Sequence, residues 1–224
     1  MLNTPNNPTG TVIPRDVLEE LGAICAKHEL IVICDEVWEG MIFGDTRHVS
    51  PLAIPDLRER AVKIGSAGKI FSLTGWKIGW AIAAPPLAEA IAAQHQFLTF
   101  TTATPLQWAV AEGLCLPAEW HAAHRARYEA ARARLVDGLT AEGYRLLPAD
   151  GTWFVTVDLA ASGLEPDDTA VCERLIRKAG VASIPVSAFY SEAPEKGYLR
   201  LCYAKQDATL DAGIERLAAF RAEW

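Results

Sequence analysis

Residues 30 to 34 read Leu-Ile-Val-Ile-Cys, and Asp35 follows directly. A solid apolar run of this length predicts a parallel strand that is buried on both faces, with the acid just past its carboxyl end. Further strands are predicted from Ala61 to Gly65 and from Gly79 to Ala84, and helices over 14–28, 87–97 and 105–115. This alternation of strands and helices predicts an α/β sheet.

The sequence changes character near residue 117. Residues 118–142 are rich in Ala, Arg and Glu and predict one long helix. Beyond it, short strands are predicted at 144–147, 153–158, 182–185 and 198–204, and helices at 168–179 and 207–222. We therefore expect a partial large domain over 1–117, followed over 118–224 by the linking helix and a small α+β domain. Residues 1–10 hold three Asn, two Pro and a Gly, which predict a loop.

Composition narrows the class of protein. The 224 residues are 50% apolar and carry a net charge of −7, with a pI near 5.3. An acidic chain of this kind argues against partners such as nucleic acid or an anionic membrane surface. The five cysteines form no Cys-x-x-Cys pair, which is typical of reduced thiols in a cytoplasmic protein. We expect no signal peptide and no membrane-spanning segment.

Lys69 lies in a Gly- and Ser-rich loop after the second strand, within Gly-Ser-Ala-Gly-Lys-Ile-Phe-Ser-Leu-Thr-Gly-Trp-Lys from 65 to 77. An amine in such a place forms an imine with an aldehyde cofactor. Lys77 and Ser66 are suited to holding the phosphate of that cofactor. Taken alone, however, Lys77 is more often a solvated lysine and Ser66 more often a turn serine.

Asp35 is placed to act on the same cofactor, because ligands bind beyond the carboxyl ends of strands in open α/β sheets. A carboxylate there holds a pyridinium N–H and lets the ring accept electrons. A helix cap is the alternative role. Asn7, in a turn-rich loop, offers an amide to the phenolic oxygen of the cofactor, or simply forms the turn.

Arg200 sits in the apolar strand Tyr198–Tyr203. An arginine in such a pattern has a paired anion. A bidentate grip on a substrate carboxylate satisfies it, and so does an internal salt bridge or the solvent face of an edge strand. His121 and His124 are three residues apart without further ligands, so no metal site is predicted.

Together these segments resemble the class I/II aminotransferases of pyridoxal 5'-phosphate (PLP) fold type I, and look most like the kynurenine aminotransferase-like branch. The resemblance covers essentially all 224 positions. Family members are far longer, and this chain begins near their middle, so the resemblance implies a chain that lacks the N-terminal half. The segments that carry the match are Asn3–Gly10, Cys34–Glu39, Gly65–Trp80, Gly151–Asp158 and Tyr198–Lys205.

The resemblance implies a role for each candidate residue. Lys69 forms the imine with PLP and Asp35 pairs with the pyridine nitrogen, so both are catalytic. Trp38 is implied to bind the cofactor where the family usually has a tyrosine; because an indole has an N–H but no hydroxyl, it either donates to the phenolic oxygen or only packs there. The remaining roles are contact with the O3′ oxygen and the substrate for Asn7, phosphate binding for Ser66 and Lys77, and binding of the substrate carboxylate for Arg200.

The implied activity is transfer of an amino group between an L-amino acid and a 2-oxo acid, and the full-length form is implied to be a homodimer. Two alternatives remain open. A cysteine-conjugate β-lyase uses the same lysine and aspartate. The second alternative is a non-catalytic fragment. A chain that lacks several strands of the sheet is predicted to have an unpaired apolar strand edge near residues 30 to 34.

Overall fold

The computed structural model describes all 224 residues. In it, the apolar run over residues 30–34 leads into the second strand of a four-stranded sheet. The sheet order is β1-β2-β3-β4; the first two pairings are parallel and the last is antiparallel. The short β1 corrects the prediction of a loop over 1–10. The strands are β1 (Leu2–Asn3), β2 (Val32–Asp35), β3 (Ala61–Ser66) and β4 (Gly79–Ala83).

Pairing with β1 also changes the expectation of a free edge near residues 30 to 34. Leu2 pairs with Cys34 and Asn3 pairs with Asp35, so the carboxyl-terminal half of β2 is covered on both sides. The predicted free edge is therefore wrong at the end of the strand that carries Asp35. Ile31 remains 59% exposed just before the strand and Ile33 is 44% exposed within it, so the prediction of a strand buried on both faces is wrong and β2 is buried on one face.

Five helices accompany this sheet. The first, α1, presents Leu18 and Cys25 to Val32 and Ala61 of the sheet, which forms one apolar core. Gly22 lets the second helix approach, because a Cβ there would lie 3.3 Å from Ile54. The helices are α1 (Arg15–Lys27), α2 (Pro55–Arg58), α3 (Ala67–Ile70), α4 (Pro85–Leu98) and α5 (Thr104–Leu114).

A long helix, α6 (Ala118–Ala141), follows and confirms the helix predicted over 118–142. The chain divides into two units, residues 1–7 with 11–123 and residues 8–10 with 124–224, so their boundary lies within α6. None of the helices combines the length and the apolar character that crossing a bilayer requires.

The second unit contains an antiparallel sheet of order β5-β6-β8-β7. Its core includes Val157 and Leu199 from neighbouring strands and Leu217 from the last helix, all nearly inaccessible to solvent. The elements are β5 (Arg145–Leu146), β6 (Phe154–Asp158), α7 (Asp168–Arg174) with a π-helical turn over Leu175–Ala179, β7 (Ile184–Pro185), β8 (Tyr198–Cys202) and α8 (Asp207–Ala222).

Candidate active site

Asp35 and Lys69 are carried by neighbouring parallel strands. Asp35 is the last residue of β2 and pairs with Ile64 of β3. Strand β3 ends at Ser66, and α3 begins at once with Ala67 and carries Lys69. Because the carboxyl ends of parallel strands meet at one edge of a sheet, both residues belong to the same edge. Both are partly exposed, so a ligand has access to them.

The amine of Lys69 lies against the indole of Trp38. Lys69 Nζ is 4.7 Å from the ring centroid of Trp38, whose side chain is buried. A cation over an indole face is attracted by the negative charge of the ring surface. Trp38 follows Asp35 by three residues, so the indole brings the amine to the segment that bears the carboxylate.

Asn3 ties the Asn7 turn to the same segment. The side-chain amide of Asn3 donates to the carbonyl of Asp35 at 3.0 Å, and its Oδ1 accepts the backbone N–H of Asn7 at 2.7 Å. The side chain of Asn7 is exposed. The turn therefore places the backbone of Asn7 close to the end of β2. Asn3 was not among the predicted site residues, because its role depends on pairing between β1 and β2.

Ser66 and Lys77 lie at the two ends of the segment that holds Lys69, which the structure places in the one-turn helix α3 and not in the predicted loop. The Ser66 hydroxyl makes no capping hydrogen bond to α3, although Ser66 occupies the capping position. Lys77 is exposed and has a left-handed backbone, with φ of 57°. A Cβ on Gly68 would lie 3.1 Å from the Thr74 backbone, so a glycine there keeps the loop closely packed.

The Lys69 loop is supported from β4 by Trp80. Trp80 pairs with Gly65, and a Cβ on Gly65 would lie 2.2 Å from the indole nitrogen. Real Cβ atoms do not approach other atoms so closely, so the indole occupies the space that a side chain at 65 would need. The absence of a side chain at Gly65 thus determines where Trp80 lies.

We expect Gly65→Ala to lower the stability of the first unit by about 1–3 kcal/mol, the usual cost of overpacking a tightly packed site. The measurement is thermal unfolding followed by circular dichroism. Gly75→Ala is the matched control, because a Cβ there meets nothing within 4 Å. Equal unfolding temperatures for the two variants would contradict the close packing of Trp80 on Gly65.

Arg200 belongs to the second unit and lies on an inner strand. It pairs with Thr156 on one side and Ile184 on the other, which excludes the solvent face of an edge strand. Its guanidinium lies 4.5 Å from the ring centroid of Phe154 and 5.1 Å from that of Phe189. Burial lowers the pKa of Arg200, yet an arginine stays charged at neutral pH. The side chain is thus a cation held between two phenyl rings.

A group of polar side chains around the buried Glu36, which sequence reasoning missed, lies next to Asp35. Its centre is Glu36, which is fully buried and contacts His48, Ser50 and Lys63. Glu36 is one of three acids within residues 35–39, so the sequence did not single it out, and its partners are 12 to 27 residues away.

Cys34 lies beside the same group. Burial, with further contributions from Glu36 and Asp35, raises the pKa of its thiol to about 12. A thiol that stays protonated at neutral pH is a poor nucleophile. Cys34 is therefore not a competitor of the Lys69 amine for an aldehyde.

Comparison with known proteins decides the family. The family model described as "Aminotransferase class I and II" matches residues 1–217. The chain belongs to the class I and II aminotransferases. It is 41% identical over 217 residues to the methionine aminotransferase of Escherichia coli K12. It is 32% identical over 243 residues to human kynurenine--oxoglutarate transaminase 1.

The fold agrees with that family. The structure of N-succinyldiaminopimelate aminotransferase from Mycobacterium tuberculosis superimposes with a TM-score of 0.93 at 38% identity, over 97% of this chain and 57% of the other. An Escherichia coli structure with a methionine aminotransferase function gives 0.92 at 41% identity. This confirms the α/β class of the chain as part of PLP fold type I. The chain spans 56% of the Escherichia coli relative and 58% of the human one.

Proposed function

We propose that this aminotransferase chain carries the lysine, acid and arginine of a PLP-dependent transaminase, which moves an amino group between an L-amino acid and a 2-oxo acid. The observation that carries the proposal is the amine of Lys69, which is held against Trp38 at the sheet edge where β2 ends in Asp35. The family and its named relatives, which are transaminases, support the same reaction.

The residues at this edge fit PLP by their chemistry. Lys69 offers a partly exposed amine, and Asp35 offers a carboxylate at the end of the neighbouring strand. The Ser66 hydroxyl makes no capping hydrogen bond to α3, and the Lys77 side chain is exposed, so both are accessible to a phosphate. When bound, PLP supplies an aldehyde that exchanges with the substrate amine and a ring that delocalises an electron pair.

Each side chain then has its own role in the proposed reaction. Lys69 Nζ would hold the aldehyde group of the cofactor, and its free amine would serve as the general base for the substrate α-proton. The Asp35 carboxylate accepts the pyridine N–H and keeps that proton in place. Asn7 would donate its side-chain amide to the phenolic oxygen and would also contact the substrate. Two half-reactions that share one lysine predict ping-pong kinetics.

Arg200 is the proposed partner of the substrate α-carboxylate. Its planar guanidinium donates two parallel hydrogen bonds to a carboxylate, and the phenyl rings of Phe154 and Phe189 hold that plane. The alternative role, an internal salt bridge, makes no prediction about substrate binding. PLP binding, in contrast, does not require this arginine.

We expect Arg200→Lys to raise the KM for amino and 2-oxo acids by about 10- to 100-fold, because a lysine cannot form the bidentate pair. Attachment of PLP to Lys69 stays as in the wild type. The measurement is steady-state kinetics beside borohydride trapping of the cofactor. Arg216→Lys, on an exposed part of α8, is the control. An unchanged KM in Arg200→Lys would contradict the role.

The proposed function is tested on the chain as it is. PLP is added, absorbance of a lysine-bound cofactor is recorded, and borohydride fixes it for peptide mass spectrometry. Exchange of amino groups with a 2-oxo acid supports the transaminase. Release of pyruvate and thiol from a cysteine conjugate, without exchange, supports the β-lyase instead. A protein that takes up no PLP at Lys69 overturns the proposal and leaves the non-catalytic fragment.

A further inference from the structure

Glu36 is a fully buried carboxylate with three donors around it. Oε1 accepts the hydroxyl of Ser50 at 2.9 Å, and Oε2 lies 2.8 Å from His48 Nε2 and 3.7 Å from Lys63 Nζ. Burying a charge is costly unless it is paired and hydrogen-bonded. Because Glu36 has all three partners, the position of its carboxylate is strongly determined.

The backbone of Glu36 is held as firmly as its side chain. Its N–H donates to the carbonyl of Ile64 in β3 at 3.0 Å, and its carbonyl accepts the N–H of Glu39 at 2.9 Å. Within the turn that results, the N–H of Val37 donates to Oδ1 of Asp35 at 3.2 Å. The same turn carries Trp38, whose indole lies against the Lys69 amine. Glu36 therefore anchors the segment that bears two of the proposed site residues.

A metal ion is not needed to explain these acids. Ligand atoms of Glu36, Glu39 and His48 lie within 4.8 Å of one another. However, the ammonium of Lys63 forms ion pairs with both carboxylates and already supplies a positive charge between them. A role in placing the turn accounts for the partly buried Lys63 and His48 together.

We propose that Glu36 is a positioning residue: its buried carboxylate holds the turn over residues 35–39 on β3, and this keeps the Asp35 carboxylate and the Trp38 indole in place for the cofactor. The part of the inference that concerns PLP rests on the proposed function. The part that concerns the turn rests on the hydrogen bonds alone and is measurable without a cofactor.

The test compares Glu36→Gln with the wild type by hydrogen exchange of peptides that cover residues 35–41, without PLP. Gln keeps the size of the side chain. Its –NH2 group is a donor, however, and it replaces a carboxylate oxygen that accepts hydrogen bonds from the surrounding donors. We expect exchange in these peptides to be on the order of tenfold faster, the factor that corresponds to one lost hydrogen bond to a charged group. Glu39→Gln, which leaves the Ser50 and His48 contacts intact, is the matched control.

A second measurement tests how Glu36→Gln changes the binding of PLP. PLP is titrated into each variant at several pH values, and the absorbance of the lysine-bound form is followed. Glu36→Gln is expected to weaken PLP binding by about tenfold and to displace the pH at which the absorbance changes, since the acid beside the ring is no longer held. Glu39→Gln is expected to match the wild type. A purely structural residue would lower the unfolding temperature and leave this pH unchanged in the folded variant.

The outcomes separate the two proposals. Wild-type exchange rates over 35–41 in Glu36→Gln, or an unchanged pH profile, overturn the positioning role. Absence of any PLP on wild-type Lys69 overturns the proposed function instead, and the exchange data then decide alone whether Glu36 holds the turn. If Glu36→Gln does not fold, Ser50→Ala removes one of the donors to Glu36, together with the cap that Ser50 Oγ accepts from Leu52, and it is expected to show a smaller effect of the same sign over residues 35–41.

Discussion

Replacing Lys69 by alanine is expected to abolish attachment of PLP and amino-group exchange. Alanine has no amine to hold the aldehyde, and no other group of the described site replaces it as the base. Loss of a general base alone lowers a rate by about 10²–10⁴-fold, and loss of the covalent anchor adds to this. The measurements are borohydride trapping with mass spectrometry of the 65–77 peptide, and exchange with a 2-oxo acid.

Lys69→Arg separates the charge of Lys69 from its nucleophilic amine. Arginine keeps a cation over Trp38, where Lys69 Nζ now lies 4.7 Å from the ring centroid, but stays protonated. We therefore expect near-wild-type folding and no PLP adduct. Lys27→Ala, at the exposed end of α1, is the control. An adduct of normal yield in Lys69→Ala would contradict the whole assignment of the site.

Changing Asp35 to asparagine is expected to weaken PLP binding by about 10- to 150-fold. The charge-assisted hydrogen bond to the pyridine nitrogen contributes roughly 1.5–3 kcal/mol, and each 1.4 kcal/mol corresponds to a factor of ten. The rate of exchange falls as well, because the ring no longer holds its proton. Titration of the apoprotein with PLP measures the affinity, and the exchange assay measures the rate.

Asparagine preserves the local structure at this position. Its Oδ1 accepts the N–H of Val37 as Asp35 does now, and the backbone carbonyl of residue 35 still accepts from Asn3. The loss is therefore assigned to the negative charge. Asp45→Asn, an exposed change on the loop after Trp38, is the control. If the two variants bound PLP alike, Asp35 would have no direct part in holding the cofactor.

Most of the secondary structure was predictable because it depends on local pattern. The predicted helix at 14–28 is α1 (Arg15–Lys27), and the strand at 153–158 is β6 (Phe154–Asp158). Spacing of apolar residues is a local property, so it predicts such elements well. The two-residue strand β1 was missed, because its only support is pairing with β2, and no pattern in a stretch of Asn and Pro predicts it.

The residues of the site divide in the same way, into those that local sequence pattern predicts and those that depend on distant segments. The position of Asp35 and Lys69 at one sheet edge was predictable, because Asp35 directly follows an apolar run and Lys69 lies in the Gly- and Ser-rich segment just after the next strand. His48 was not assigned any partner, although it lies 2.8 Å from Glu36. The two residues are 12 positions apart and meet only when the intervening segment folds back on β3.

The order of residues along the chain was thus sufficient for the α/β class, the lysine loop and the acid at the end of β2, since these depend on runs of neighbouring residues. Contacts between distant segments required the folded chain: the indole of Trp38 against the Lys69 amine, Trp80 in the space over Gly65, and the donors around Glu36. The physical reason is that close packing and charge pairing depend on distances through space, and a linear pattern carries those distances only within single strands and helices.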